Sequence, residues 1–309
     1  MNISVVIPVY NGQDTISPLV ERLGKVLPHV SDLFETILVC DGSPDNSWMV
    51  IEKLVAQYPW VRGFQLMRNY GQHNALLCGV RAARYEAIVT MDDDLQNPPE
   101  EIPILLKKLE EGHDVVFGVP KKMSQTWWRN IASVLSKRIV SFVMGTQSIR
   151  DISSYRIFRT HLGHAFEHYQ GPDLLLDVLL TWGTDKFATA FVDEQPRKVG
   201  KSNYNLFKLT QMALVMLTSY TTVPLRFASI TGFIFTILGV LALLYVVSTY
   251  FLLGSEPGFS FLASAVVVFS GVQLFALGIM GEYLGRIFER TYGRPTYQVL
   301  KTIGSMDQK

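Results

Sequence analysis

Apolar and polar positions alternate in blocks along the first 120 residues. The continuous apolar run from Ile3 to Val9 is typical of a buried strand. Further runs predict strands at Glu35 to Cys40, Val61 to Leu66, Ala87 to Met91 and Asp114 to Gly118. Between them, apolar residues recur at helical spacing, first from Ile16 to Leu27 and later from about Gln72 and after Pro98. This alternation predicts an α/β fold, a mostly parallel sheet with helices on both faces.

Polar clusters follow the predicted strands. Asp41-Gly42-Ser43 comes after the second strand, and Asp92-Asp93-Asp94 comes after the fourth. Ligands of open parallel sheets bind outside the carboxyl ends of the strands. We therefore expect the functional site at that edge.

Two long uncharged runs occupy the last third of the chain. Neither Phe227 to Ser255 nor Pro257 to Gly281 contains a charged residue, and each run exceeds the ~20 residues that cross a bilayer core. We interpret them as two transmembrane helices. The alternative is a buried helical hairpin of a soluble protein.

Charge around these runs predicts their orientation. The turn between them carries one acid, Glu256, whereas basic residues lie on the outer flanks: Lys208, Arg226, Arg286, Arg290 and Arg294. The positive-inside rule then places both termini and the N-terminal domain in the cytoplasm. Met1 to Val9 lacks the pattern of a signal peptide, in agreement with that orientation.

An apolar stripe precedes the first span, with Leu206, Leu209, Ala213, Met216, Leu217 and Tyr220 at helical spacing. It suits a helix in the membrane interface, and an ordinary core-facing helix is the alternative. The predicted organisation is a catalytic domain at 1–204, an amphipathic juxtamembrane helix at 205–225, a transmembrane hairpin at 226–285 and a cytoplasmic tail at 286–309.

The amino-acid composition argues against several classes of protein. A net charge of +1 argues against nucleic-acid binding, and 48% apolar with 18% charged residues argues against disorder. The mean hydropathy of +0.20 agrees with a part of the chain lying in lipid. Only Cys40 and Cys78 are present, so a disulfide framework is excluded.

Several common ligand-binding motifs are incomplete or absent in this sequence. No glycine-rich dinucleotide motif follows the first strand, and Gly200-Lys201-Ser202 lacks the earlier glycine of a phosphate-binding loop. The stretch from Asp92 has Asn97 where a calcium loop needs glycine. The spacing of His161, His164 and His168 places them on one helical face. They could bind a metal ion, and the alternative is that they form a solvated face of the helix.

The aspartate triplet is the strongest chemical signal. Alternation along a strand would point Asp92 and Asp94 to one side and Asp93 to the other. Two hard oxygen ligands suit Mg²⁺ or Mn²⁺, which bind one or two carboxylates together with substrate phosphates. The alternative is an acidic helix N-terminus.

Four ordered motifs together resemble family 2 glycosyltransferases of the GT-A fold. They are Val5-Val6-Ile7-Pro8-Val9-Tyr10-Asn11, Asp41-Gly42-Ser43, Arg68-Asn69-Tyr70-Gly71-Gln72-His73 and Asp92-Asp93-Asp94-Leu95-Gln96-Asn97-Pro98-Pro99-Glu100. The closer resemblance is to the polyprenyl-phosphate branch, which includes bactoprenol glucosyltransferases, undecaprenyl-phosphate aminoarabinose transferases and dolichol-phosphate mannose synthases. It extends through Gly200 to Tyr204, both spans and Gly281 to Arg286.

The resemblance implies roles for individual residues. It implies that the nucleotide base and ribose are held by Pro8, Tyr10, Asn11 and Asp41. It implies a metal and diphosphate site at Asp92, Asp94 and Gln96. Arg129 and Ser133 match residues that contact the acceptor phosphate, and Arg197 and Lys201 match a basic loop over the diphosphate and acceptor. Asp151 matches an acid ahead of Arg156, with a turn aspartate as the alternative.

Three positions depart from the family pattern. Gly12-Gln13 stands where glutamate is usual, Lys201 replaces a common glutamate, and Ser153-Ser154-Tyr155 replaces a glycine-rich stretch. These departures concern the sugar and the acceptor. The Gln-x-x-Arg-Trp motif is absent from the sequence, which argues against a processive polysaccharide synthase.

Acceptor chemistry agrees with the resemblance. A phosphate monoester is already largely anionic at neutral pH, because its second pKa is ~6, so it needs cations rather than a strong base. We therefore expect an inverting, metal-dependent transferase that moves a sugar, foremost glucose, from a UDP-sugar to polyprenyl phosphate at the cytoplasmic membrane. Other donors are formyl-aminoarabinose, N-acetylhexosamine or mannose nucleotides. A non-catalytic membrane scaffold that binds sugar nucleotides is the alternative class, and homo-oligomerisation is left open.

Overall fold

The structure is a computed structural model that describes residues 1–121, 153–171, 174–193, 218, 220–253 and 258–304. The chain divides into two compact units. One comprises Met1–Tyr204 together with Arg294–Lys309, and the other comprises Asn205–Gly293. Most of the predicted juxtamembrane helix lies outside the described residues.

A mixed, mostly parallel sheet forms the first unit, and within the described residues it has eight strands in the order β7-β5-β6-β4-β1-β2-β3-β8. The strands are β1 Ile3–Val9, β2 Phe34–Cys40, β3 Val61–Leu66, β4 Ala87–Thr90, β5 Val115–Pro120, β6 Arg156–Arg159, β7 Phe187–Val192 and β8 Val299–Ile303. The five strands predicted from apolar runs are present, each within two residues of its predicted ends.

Strands β4, β1, β2 and β3 are mutually parallel neighbours. Their carboxyl ends therefore meet at one edge of the sheet. The antiparallel strand β6 separates β4 from β5, and β8 adds an antiparallel edge next to β3. The α/β fold predicted from the sequence is confirmed.

Helices follow the strands of the parallel core. Within the described part of this unit they are α1 Ile16–Val26, α2 Ser47–Gln57, α3 Gln72–Ala82, α4 Ile102–Glu110, α5 His161–His164 and α6 Leu176–Gly183. Short 3-10 turns at Leu27–His29 and Pro99–Glu101 extend α1 and precede α4.

Both faces of the sheet are covered, because alternate residues of a strand point to opposite sides. Ile3, Val5, Ile7 and Val9 of β1 share one buried cluster with apolar residues of α1, α2 and α4. Val6 faces the other way and contacts α3, where a Cβ on Gly79 would lie 2.3 Å from its Cγ1. Glycine at position 79 thus lets α3 approach the sheet closely.

The second unit contains two long apolar helices, α7 Val223–Leu253 and α8 Phe259–Thr291. Their candidate spans, Val223–Thr249 and Val268–Thr291, have mean hydropathies of 2.5 and 1.3 and are not buried by the rest of the protein. A buried soluble hairpin would be covered by other elements. These are therefore the two membrane-spanning candidates that the sequence predicts.

Candidate active site

A cleft of about 260 Å³ opens at the carboxyl ends of β1, β2, β3 and β4. Its lining is polar and comes from all four strand ends: Pro8, Val9, Tyr10, Asp41, Asn69, Gly71, Gln72, Asp92, Asp93 and Asp94. The parallel arrangement of these strands explains why residues so far apart in sequence converge here.

Five residues proposed from the sequence line this cleft together: Pro8, Tyr10, Asp41, Asp92 and Asp94. Asn11 and Gln96 lie next to lining residues in the chain and are not part of the lining. Their roles stay predictions. The remaining candidates lie outside the described residues, namely Arg129, Ser133, Asp151, Arg197 and Lys201.

Hydrogen bonds tie the loop after β1 to the loop after β2. The backbone N–H of Asn11 donates to Ser43 Oγ at 3.2 Å, and that of Gly12 donates to Ser47 Oγ at 3.0 Å. The Gln13 N–H donates to Asp45 at 3.2 Å. Asn11 has a φ of 56°, which asparagine tolerates better than most residues. The Gly12-Gln13 departure from the family pattern thus belongs to a fixed loop.

Asp41 holds the loop after β3. Its carboxylate accepts hydrogen bonds from the backbone N–H groups of Tyr70 and Gly71 at 2.7 and 2.8 Å. Burial raises the pKa of this carboxyl, and the two donors oppose that shift. The neighbouring Gly42 has a φ of 60°, and a Cβ there would lie 2.3 Å from the backbone of Arg68. The Asp-Gly sequence is therefore needed for this close approach of two loops.

The aspartate triplet lies in a turn, not in a strand. Strand β4 ends at Thr90, and Leu95 adopts a left-handed backbone with φ of 65° while its side chain is buried in the core. All three aspartates line the cleft, and the expectation that Asp93 points away from Asp92 and Asp94 stays a prediction. Strand alternation does not continue through a turn.

Asp92 is held by two side chains from different elements. Gln72 Nε2 donates to its Oδ1 at 2.6 Å, and Ser154 Oγ donates to its Oδ2 at 2.7 Å. Asp94 Oδ1 accepts the backbone N–H of Gln96 at 3.1 Å, which closes the turn. Protein groups thus hold both carboxylates in position.

Asp93 is a buried carboxyl group close to the charges of Asp92 and Asp94. Its burial, together with the charges of Asp92 and Asp94, raises the pKa of its carboxyl to about 7. Its Oδ2 is buried without a hydrogen-bond donor among the described residues, and a Cβ on Gly12 would lie 2.3 Å from that oxygen. The cleft therefore holds three neighbouring carboxylates, whose mutual repulsion a bound cation would reduce.

This donor set fits a divalent cation. Mg²⁺ and Mn²⁺ prefer carboxylate and amide oxygens, and Mg²⁺ sites commonly use one or two carboxylates with substrate phosphates and water. Among the described residues no group of three or more His, Cys, Asp or Glu side chains is placed to hold a metal ion. An open site completed by a diphosphate is consistent with both observations. His161 and His164 lie on an exposed helix, where His164 pairs with Glu167.

Sequence reasoning missed several residues of the cleft. Asn69, Gly71 and Gln72 line the cleft, although the sequence gives them only as part of a motif. Ser154 does not line the cleft but holds Asp92, although the sequence gives it only as a departure from the family pattern. Gly71 offered a signal, since a glycine before a predicted helix marks a close turn, and its φ is 93°. No local pattern indicates that Ser154 meets Asp92, because that contact depends on the pairing of β4 with β6.

Comparisons with known proteins identify the family of this chain. The sequence profile described as glycosyl transferase family 2 matches residues 4–164. An undecaprenyl-phosphate 4-deoxy-4-formamido-L-arabinose transferase of Serratia proteamaculans (strain 568) is 34% identical over 98% of this chain and 94% of its own. The transferase of the same name from Proteus mirabilis (strain HI4320) is 33% identical over the same shares.

One solved structure that aligns with this chain is glucosyl-3-phosphoglycerate synthase from Mycobacterium tuberculosis, in complex with Mn²⁺, uridine diphosphate and phosphoglyceric acid. It is 19% identical, with a TM-score of 0.48 over 70% of this chain and 76% of that one. The family profile covers more than half of the chain, and the two relatives align along nearly all of it. The resemblance in the sequence motifs is confirmed: the chain belongs to glycosyl transferase family 2.

Proposed function

We propose that this chain transfers a sugar from a UDP-sugar to undecaprenyl-type polyprenyl phosphate at the cytoplasmic face of the membrane. The observation that carries the proposal is one chain with both an acidic cleft at the ends of β1 to β4 and two helices long enough to span a bilayer. The full-length relatives are named as undecaprenyl-phosphate transferases, which supports the same acceptor.

The donor occupies the cleft in this proposal. Pro8, Tyr10, Asn11 and Asp41 hold the base and ribose, as the family motifs imply. Tyr10 is 47% exposed, so its ring is accessible to a base. Asp41 also has a structural role, because its hydrogen bonds with the backbone of Tyr70 and Gly71 fix the loop on the other side of the cleft.

Asp92, Asp94 and Gln96 would hold Mg²⁺ or Mn²⁺. When bound, the ion supplies positive charge for the diphosphate leaving group. The chain's own part is orientation, since Gln72 and Ser154 fix Asp92 and the backbone of Gln96 fixes Asp94. Preorganised charge of this kind stabilises a transition state without reorganisation at the moment of reaction.

The acceptor phosphate attacks the anomeric carbon directly. A phosphate oxygen forms the new bond to that carbon, and the bond to the diphosphate oxygen breaks, so UDP leaves with the electron pair. The anomeric configuration inverts. Because the acceptor is already anionic at neutral pH, no strong base is needed. Arg129, Ser133, Arg197 and Lys201 are the proposed phosphate and diphosphate contacts, and Asp151 is a further candidate at this site.

Two sugars are the leading candidates. Glucose is favoured by the resemblance of the motifs to bactoprenol glucosyltransferases, and 4-deoxy-4-formamido-L-arabinose is favoured by the names of the full-length relatives. Either sugar leaves the metal and phosphate chemistry unchanged. The alternative class of function is a scaffold that binds sugar nucleotides. Such a protein would bind the sugar nucleotide in the same cleft without catalysing its transfer.

A donor panel tests the proposal. The full chain in lipid nanodiscs is incubated with undecaprenyl phosphate, Mg²⁺ or Mn²⁺ and each of several radiolabelled donors, including UDP-glucose, UDP-4-deoxy-4-formamido-L-arabinose, UDP-N-acetylglucosamine and GDP-mannose. The proposal expects label in the organic-soluble lipid from one UDP-sugar. UDP binding without lipid labelling by any donor would support the scaffold instead.

A further inference from the structure

Arg156 is a buried cation next to the carboxylate cluster. It lies on β6 opposite Thr90 of β4, and only 1% of it is exposed. Its guanidinium forms an ion pair with Asp177, in the first turn of α6. Burial lowers the pKa of Arg156 to about 10, so the group stays charged at neutral pH. An arginine is rarely buried this fully unless it is paired.

Hydrogen bonds connect this ion pair to Asp92. Arg156 Nε donates to Thr90 Oγ1 at 2.9 Å, and the Thr90 hydroxyl donates to the carbonyl oxygen of Ser154 at 2.9 Å. Ser154 Oγ in turn donates to Asp92 Oδ2 at 2.7 Å. A continuous series of polar contacts therefore runs from α6 through Asp177, Arg156, Thr90 and Ser154 to Asp92.

The other oxygen of Asp92 is held from a different helix. Gln72 at the start of α3 donates to Oδ1 at 2.6 Å, and the next residue, His73, accepts the backbone N–H of Leu176 at 3.5 Å. Helices α3 and α6 thus meet at His73. Helix α3 contacts Asp92 directly through Gln72, whereas α6 is connected to it only through Arg156, Thr90 and Ser154. The charge of Arg156 also contributes to the lowered pKa of His73, although burial is the larger cause.

We propose that Arg156 is a positioning residue for the donor site, acting with Asp177 through Thr90 and Ser154 to fix the Asp92 carboxylate. This inference rests on the proposed function and names residues to which neither the sequence motifs nor the relatives assign a role. Arg156 does not line the cleft, so it acts through Asp92 and not on the donor directly. Groups that hydrogen-bond to a metal-binding carboxylate without touching the metal commonly orient it in this way.

Two substitutions of Thr90 test this series of polar contacts with little change in side-chain volume. Thr90→Val removes the hydroxyl that joins Arg156 to Ser154, and Thr90→Ser keeps it. We expect Thr90→Val to weaken binding of Mn²⁺ in the presence of UDP about tenfold, in the range usual for lost outer-shell bonds, and Thr90→Ser to stay within about twofold of the wild type. Binding is measured on the full chain in detergent, by electron paramagnetic resonance of free Mn²⁺ and by calorimetry with UDP.

A matched control lies at the opposite end of the same sheet. Ser4 Oγ donates to Glu35 Oε1 at 2.8 Å, and Glu35 forms a buried ion pair with Arg62 at 2.9 Å. Ser4→Ala therefore also removes a buried hydroxyl next to an arginine–carboxylate pair. It should lower the thermal midpoint and leave the Mn²⁺ and UDP dissociation constants unchanged.

Arg156→Met gives a second test, with Arg156→Lys as the conservative variant. Lysine keeps the charge and loses the planar fork that contacts Thr90 and Asp177 at once, so it should recover binding only in part. Unchanged dissociation constants in folded Thr90→Val and Arg156→Met proteins would overturn the positioning role. If the wild type binds neither Mn²⁺ nor UDP, the proposed function fails and this inference fails with it.

Discussion

The backbone N–H of Met67 donates a hydrogen bond of 3.0 Å to the carbonyl oxygen of Gln298. This bond continues the antiparallel pairing of β3 with β8, in which Gly63 lies opposite Ile303. Lys301 of β8 adds an ion pair with Glu52 of α2 at 2.6 Å. Chain from before α7 and chain from after α8 therefore share one sheet. Since one sheet cannot lie on both sides of a bilayer, an even number of crossings separates them.

Topology can be tested with single cysteines. Gly258→Cys lies between the two spans and Leu300→Cys lies on β8, and both positions are exposed. If the basic flanks are cytoplasmic, a membrane-impermeant maleimide added to spheroplasts should label position 258 and not position 300. The native Cys40 and Cys78 are buried, so the parent protein is the labelling control. Labelling of position 300 from outside would contradict the orientation.

The close contact of Gly12 with Asp93 predicts a coupled pair of substitutions. Gly12→Ala places a methyl group 2.3 Å from Asp93 Oδ2 unless the loop moves. We expect a loss of about 1–3 kcal/mol of stability, as for other overpacked sites, and a much smaller loss in an Asp93→Ala background. Thermal midpoints of the four proteins in the cycle measure this coupling. Additive effects would show that the contact is not tight.

His73 predicts a loss of stability in mild acid. Burial, with the charge of Arg156, lowers its pKa from 6.5 to about 4 in the folded protein. The folded state then binds fewer protons than the unfolded chain between these values, so stability falls as the pH drops from about 6.5 to about 4. The total is roughly 3 kcal/mol.

His73→Asn keeps an acceptor for the Leu176 N–H and removes the titration. Its thermal midpoint should fall less steeply than that of the wild type over this pH interval. His161→Asn, on an exposed helix, is the control and should keep the wild-type slope. Equal slopes in all three proteins would show that His73 does not carry the effect.

Arg129 should act on the acceptor alone. A charge-assisted hydrogen bond to the lipid phosphate contributes about 1.5–3 kcal/mol, or roughly one to two orders of magnitude in affinity. Arg129→Ala should raise the KM for undecaprenyl phosphate by that factor, and Arg129→Lys should recover only part of it. The dissociation constant for UDP, measured without lipid, should change little. Full rescue by lysine, or equal weakening of both ligands, would contradict the assignment.

The sequence predicted those features that depend on residues close together in the chain. The apolar run of β1 predicted a strand, because burial and strand period act within a few residues. Tyr10, which lines the cleft, was indicated by the resemblance to the family motif. Strand β8 gave no such signal, since Val299–Ile303 is a partly exposed edge strand that pairs with residues more than 200 positions away. The missing information was the long-range pairing.

The burial of Arg156 and the turn after β4 have no local sequence signal, for two different physical reasons. Arginine is usually exposed, and only the ion pair with Asp177 on another element makes its burial favourable. Asp93 was placed by strand alternation, whereas the strand ends at Thr90 and Leu95 turns the chain through a left-handed conformation. A leucine gives no sequence signal for such a turn, because its buried side chain holds it there.

The central claim is glycosyl transfer to a lipid phosphate in the aspartate cleft, and the mass of the lipid product tests it most directly. With the sugar nucleotide that the panel identifies, wild-type enzyme should convert undecaprenyl phosphate to a product that carries the sugar and a single phosphate. Asp94→Asn or excess EDTA should abolish it, whereas Asp32→Asn, an exposed aspartate ahead of β2, should not. A product with two phosphates, or undiminished product from Asp94→Asn, would contradict the claim.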